Sequence, residues 1–285
     1  MRLRQSIPLN RVADEMPDHP FDTAVALTRD DAGRYHGSAP QAYWNMAGPF
    51  GGTTAAALLR AALSDQPEGI EPVALTVNYC AALAPGAFAI DVRTARAGKS
   101  VRHVGVEMWQ GDGIVATASV VLALRRDTWA HQVATMPEVP PPDAVASLPT
   151  DGRLPWLQRY DFRFVRGPWR PQTQAYDTLQ SAHSTLWVSD KPPRPLDFLS
   201  LAALCDVFFV RAFHVRGTMV PAGTVTMTVH FHASTADLAA QGAAPVLGTV
   251  DAHTFSRNFG DQIAQVWGRN GRLLATTTQM TWFKQ

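Results

Sequence analysis

Cysteine is nearly missing from this chain. Two residues, Cys80 and Cys205, cannot build a disulfide framework, and each sits in an apolar run where a free thiol behaves as a small core residue. An excess of either charge is missing as well. Against 24 Asp and Glu stand 25 Lys and Arg, a net charge of +1, which excludes the basic footprint of a nucleic-acid binder or membrane-surface protein and favours small or neutral partners. No apolar stretch reaches the length of a membrane span, and the basic start Met1-Arg2-Leu3-Arg4-Gln5 leads into no signal-peptide core. The expectation is a soluble protein of the reducing cytoplasm. Gly-x-Ser-x-Gly is also absent, so a serine hydrolase is unsupported.

What is present is a globular chain, 46% hydrophobic and, at 285 residues, long enough for two ordinary domains or one large one. Residues 197–214 read as a helix apolar on nearly every face, hence an internal one, with Asp206 in its middle. An ionised carboxylate stays in such a bed only if paired or hydrogen-bonded. Asp206 is therefore either neutralised by a structural partner, such as backbone or Arg211, or kept for chemistry. Asp197 reads as the N-cap that opens the helix.

Residues 1–21 read as a lead-in arm. Strands are expected over 21–27 and 33–37, joined by the polar turn Arg29-Asp30-Asp31-Ala32-Gly33. A Gly/Pro-rich loop over 43–52 feeds an Ala/Leu-rich helix over 53–63, with Gly51 and Gly52 at its start. The chain then turns β-rich, at 72–83, 88–95, 101–110 and 114–124, with hairpin connections such as Arg96-Ala97-Gly98-Lys99-Ser100. Six prolines between Met136 and Pro155 suit a linker and no packed element. Beyond them the same order returns: strands at 160–165 and 184–188, the apolar helix, then strands over 220–233, 246–254, 262–267 and 272–283.

The halves echo each other at residue level. Thr76-Val77-Asn78-Tyr79 matches Thr228-Val229-His230-Phe231. Trp109-Gln110-Gly111-Asp112-Gly113 with Ala116-Thr117 matches Trp267-Gly268-Arg269-Asn270-Gly271 with Ala275-Thr276. A repeat of roughly 150 residues marks a duplicated domain rather than a solenoid, whose periods run ~20–50 residues. The expected division is a first α+β domain over 1–135, a Pro-rich linker over 136–158, and a second α+β domain over 159–285 carrying Asp206.

A duplicated sheet wrapped on a helix resembles the tandem, or double, hotdog fold, and the details resemble the acyl-CoA thioesterase II family. The matching pieces are Phe50-Gly51-Gly52 opening the first helix, Arg96 to Ser100 before a long strand, the helix with Asp206, the strand Thr224 to His232, and Leu274-Ala275-Thr276-Thr277-Thr278-Gln279 near the end. The resemblance covers almost the whole chain. It implies two antiparallel sheets, each around a long central helix and joined into one continuous sheet. It also implies hydrolysis of acyl-CoA to free fatty acid and CoA. The family's water-holding Asp, Thr and Gln fall on Asp206, Thr224 and Gln279. On a regular strand Thr226 and Thr228 share the face of Thr224, so all three remain open. In the repeat, Gln279 falls opposite Val120, Thr224 opposite Pro72 and Asp206 opposite Thr54, which makes the first half a partner surface without its own set. A homo-oligomer, a dimer of double hotdogs, is expected.

These residue types suit the chemistry. A thioester carbonyl is already electrophilic and needs a positioned, partly deprotonated water; a carboxyl buried in an apolar helix has a raised pKa and serves as its base. A Thr hydroxyl and a Gln amide hold water without competing charge. Gly51 and Gly52 mean either backbone crowding or free N–H groups for an oxyanion. Lys99 and Arg102, in the basic hairpin, either meet the coenzyme's phosphates or are solvated. His230 and His232 share a strand face, but no third ligand has supporting spacing, so neither a metal nor a cofactor is expected. Two rivals stand beside hydrolysis. A hotdog enoyl-CoA hydratase needs an Asp and a His five residues apart, whereas Arg211 occupies that spacing and His214 lies eight on. The other is an idle acyl-thioester-binding protein.

Overall fold

Buried and exposed residues alternate along most of the chain, the mark of strands with one face on a core. The computed structural model describes residues 19–168 and 177–284, so most of the expected lead-in arm lies outside the described residues. The first half contains α1 (Pro20–Ala24), β1 (Thr28–Arg29), β2 (Tyr35–Ser38), α2 (Gly51–Leu63), β3 (Ile70–Tyr79), β4 (Ala87–Ala97), β5 (Val101–Gln110) and β6 (Gly113–Leu124). The second half contains β7 (Tyr160–Arg166), β8 (Ser184–Asp190), α3 (Phe198–Leu204), α4 (Arg211–Arg216), β9 (Ala222–Phe231), α5 (Thr235–Gln241), β10 (Val246–Asp251), β11 (Phe255–Ser256), β12 (Phe259–Trp267) and β13 (Leu273–Phe283).

The strands form one 13-stranded sheet in the order β1-β2-β4-β5-β6-β3-β9-β13-β12-β10-β8-β7, with β11 paired to β12. Each half contributes the same sequence of strands counted outward from the middle, where β3 pairs with β9. Thr76 stands opposite Thr228, its own repeat counterpart, with their hydroxyls 3.0 Å apart. A pseudo-twofold axis therefore runs through this pair, and the sheet is the continuous one expected. α2 and α3 pack on each other inside a single hydrophobic core drawn from both halves. Among the described residues no helix is long and apolar enough to cross a membrane.

Four local expectations need correction. Residues 21–27 begin as helix α1, because Pro20 presets the first helical position and the His19 ring accepts the Phe21 N–H. The apolar stretch 197–214 is two short helices, not one long helix. The β-branched and aromatic run Val207-Phe208-Phe209-Val210 interrupts it, so among the described residues only α2 is a long central helix. The Pro-rich segment is packed, although proline cannot donate to a ladder: its carbonyls serve instead, Pro140 accepting from Trp187 at 2.9 Å and Pro142 from Arg163 at 3.1 Å, while Met136, Val139 and Val145 cover Trp187, Leu247 and Trp267. Cys80 is exposed; Cys205 is buried, and both are free.

Candidate active site

Asp206 lies just past the end of α3, at the start of the interruption, and its N–H still bonds the Ala203 carbonyl. The first turn of α2 meets it there. The Gly52 N–H donates to the carboxylate. A Cβ on Gly51 would stand 2.8 Å from Asp206 Oδ2, and one on Gly52 would stand 2.7 Å from the Ala203 carbonyl and 2.4 Å from the Phe50 ring. The two glycines are thus explained by close approach, Gly51 to the acid and Gly52 to the end of α3 and the Phe50 ring. The N-terminus of α2 also favours the negative charge. Arg211, the structural partner weighed above, points elsewhere, to the carbonyls of Phe209 and Ala182 and the Ser184 hydroxyl. Asp197 caps α3 as expected, accepting from the Ser200 N–H at 2.8 Å.

The sheet supplies the other polar groups. On β13, Gln279 donates through Nε2 to Asp206 Oδ1 at 2.9 Å and to the Cys205 carbonyl at 3.4 Å. Thr224 Oγ1 donates to Gln279 Oε1 at 3.4 Å. The ladder between β9 and β13 is bulged: Met280 pairs with Thr226 and Thr281 with Thr224, so Val225 is an extra residue. That one residue reverses the alternation. Thr224 comes to the inner face with Gln279, whereas Thr226 donates to the Val77 carbonyl and Thr228 meets Thr76 on the other face.

Asp206, Thr224, Gln279 and Gly51 line one cavity of about 770 Å³, whose remaining wall is mostly apolar. Phe50 and Trp156 stack there, with centroids 4.7 Å apart, and Trp156 leans on Phe209 at 6.0 Å. Among the described residues, Asp206 and Arg153 are the charged ones lining it, and Arg153 is exposed. Burial pushes the Asp206 carboxyl up to about 7, against the lowering effect of its bonds from Gln279 and Gly52. Burial likewise holds the Tyr79 phenol well above its ordinary range, with the nearby Asp206 adding to the effect. It stays neutral and donates to the Gly51 carbonyl at 3.0 Å. A carboxyl poised near neutrality beside amide and hydroxyl groups can take a proton from water.

The pattern of the acyl-CoA thioesterase C-terminal domain matches residues 134–283, and that of the N-terminal domain matches 40–123. The chain belongs to the acyl-CoA thioesterase family. Thioester hydrolysis is the activity of that family. A hotdog protein of unknown function from Alicyclobacillus acidocaldarius shares 42% identity over 94% of this chain and 98% of its own, with a TM-score of 0.86. A candidate thioesterase II from Thermobifida fusca shares 20% identity over 95% of this chain and 99% of its own, at 0.81. The acyl-CoA thioesterase II TesB2 of Mycobacterium marinum shares 17% over 93% and 98%, at 0.71. The last two show the fold, a tandem hotdog. No curated protein matches the chain.

The structure does not bring every expected thioesterase residue to the cavity. Lys99 and Arg102 flank the β4–β5 hairpin, where Arg102 donates to Gln66 Oε1 at 3.5 Å, just past the C-terminal end of α2. Along the helix this is roughly 20 Å from Gly51. Among the described residues no group of three His, Cys, Asp or Glu could hold a metal ion, and His232 bonds the Thr276 hydroxyl at 3.1 Å. Sequence reading missed Tyr79 and the aromatic wall. Tyr79 follows the repeated Thr-Val pair and corresponds to Phe231 in the repeat, so the sequence alone reads it as core.

Proposed function

We propose that this thioesterase hydrolyses acyl-CoA to the free fatty acid and CoA, with Asp206 as general base. In this reading Thr224 and Gln279 hold a water, Asp206 takes its proton, and the oxygen bonds to the thioester carbon. The carbonyl oxygen becomes an oxyanion beside the first turn of α2, where Gly51 lines the cavity. Collapse breaks the C–S bond, and the departing thiolate receives the proton from Asp206. The observation that carries this is the Asp206 carboxyl, buried and poised at about 7 while bonded to Gln279, in an otherwise mostly apolar cavity.

The apolar lining supports a fatty acyl group. Residues 159–285 supply the three water-holding side chains, 1–135 supply Gly51, Gly52 and Tyr79, and 136–158 join the two domains. The chain is taken to work in the cytoplasm, supported by two free thiols, and as a homo-oligomer, a dimer of tandem units, supported by exposed Phe259, Met280 and Trp282 on neighbouring strands.

The test is CoA release from a panel of acyl-CoA esters, followed with a thiol reagent. Release that collapses in Asp206→Asn is the expected result. Acyl-CoA binding without release would favour the idle binding protein, and conversion of crotonyl-CoA to its hydroxy product would sink the hydrolase reading.

A further inference from the structure

Three backbone carbonyls of the interruption between α3 and α4 are held by side chains. Cys205 is held by Gln279 Nε2 at 3.4 Å, Phe208 by Gln262 Nε2 at 3.5 Å and Phe209 by Arg211 Nε at 2.7 Å. Gln262 stands directly opposite Gln279 in the β12–β13 ladder, so the two amides share the inner face. It is 2% exposed and does not line the cavity, and its Oε1 is buried with no partner among the described residues. A half-satisfied buried amide is unfavourable, and the sheet does not require one here. By the matched Trp109 and Trp267, the first-half counterpart of Gln262 is Val104, 1% exposed, which pairs with Val120 as Gln262 pairs with Gln279.

We propose that Gln262 is a positioning residue for Asp206: it fixes the Phe208 carbonyl, two residues past the acid, and so sets the approach of the carboxylate to Gln279 and Gly52. The inference rests on the reading of Asp206 as the base. Gln262→Met keeps the length and removes the donor, and Gln262→Val installs the first-half residue. Both are measured for kcat and KM on the best acyl-CoA, for thermal midpoint, and for amide hydrogen exchange across 205–210.

The expected result is a kcat lowered about tenfold, the scale of one interaction that acts only in the transition state, with KM within about twofold. The midpoint stays level or rises, and exchange accelerates in 205–210 and not in α2. A kcat within about twofold of the parent overturns the proposal, as does a fall in midpoint with exchange faster throughout the chain, which is a general packing role. If the parent hydrolyses no thioester, the functional reading fails. Exchange over 205–210 then decides the positioning claim by itself, and unchanged exchange overturns it.

Discussion

The two halves of this protein use one framework for different ends. In the first half Val104 and Val120 face each other across β5 and β6, both fully buried in the core. In the second half Gln262 and Gln279 occupy the corresponding places on β12 and β13. α2 runs unbroken for 13 residues, whereas its counterpart breaks after Leu204 and exposes carbonyls that side chains must satisfy. A hotdog unit therefore needs neither the break nor the amides to fold. The second half carries both, and both surround the same carboxyl. The first half contributes what an intact helix offers, an N-terminus brought close by two glycines.

Removing the acid should separate the halves most sharply. Asp206→Asn is expected to lower kcat by about 10²–10⁴-fold, the range of a lost general base, and in the parent kcat should rise with pH through about 7. Stability should move the opposite way. A carboxyl raised from 3.8 to about 7 binds its proton more tightly in the folded state, so its contribution is present at low pH and is lost as pH rises through that interval. The variant should melt level with the parent near pH 4 and above it at pH 8, and a variant no more stable at pH 8 would contradict the buried charge. Next in size is Gln279→Val, which restores the first-half residue. Losing a bond to a charged group is worth about 10–100-fold in kcat.

The bulge offers a finer cut. Thr224→Val should lower kcat about fivefold to tenfold, the worth of one neutral hydrogen bond, while Thr226→Val changes it less than about twofold. The reverse ranking would place the wrong hydroxyl at the water. This contrast also marks where the sequence stops being legible. The duplication, most of the strands in their order along the chain, the core position of Asp206 and the match of Gln279 to Val120 are readable, since they rest on periodicity and on matched residues. The choice among Thr224, Thr226 and Thr228 was not, because one extra residue reverses strand parity and leaves no local signal in Thr-Val-Thr-Met-Thr. The interruption at Asp206 was hidden for a related reason. Its carbonyls are satisfied by Gln262 and Gln279, more than fifty residues away, and apolar pattern alone does not separate a buried helix from a buried turn. α5, by contrast, carries a local signal inside a strand-rich stretch, the Ser234-Asp237 capping box.

The smallest expected effect concerns the basic hairpin of the first half. Lys99 and Arg102 have the charge to meet phosphates, but they sit beyond the C-terminal end of α2, while the carboxyl sits at its N-terminal end. Lys99 is exposed and Arg102 half-buried at the sheet surface, and cations at a surface contribute about 1 kcal/mol or less even when paired. The double variant Lys99→Ala, Arg102→Ala is therefore expected to change kcat/KM for acyl-CoA by less than about twofold, with the same salt dependence as the parent. Among the described residues, Arg153 is the cation that lines the cavity. Its replacement by Gln should raise KM for acyl-CoA and leave an acyl-pantetheine thioester, which lacks the nucleotide phosphates, unaffected. If instead the hairpin variant loses activity on acyl-CoA alone, the coenzyme must run along α2 to its far end, and the first half would hold the nucleotide as well as the helix N-terminus.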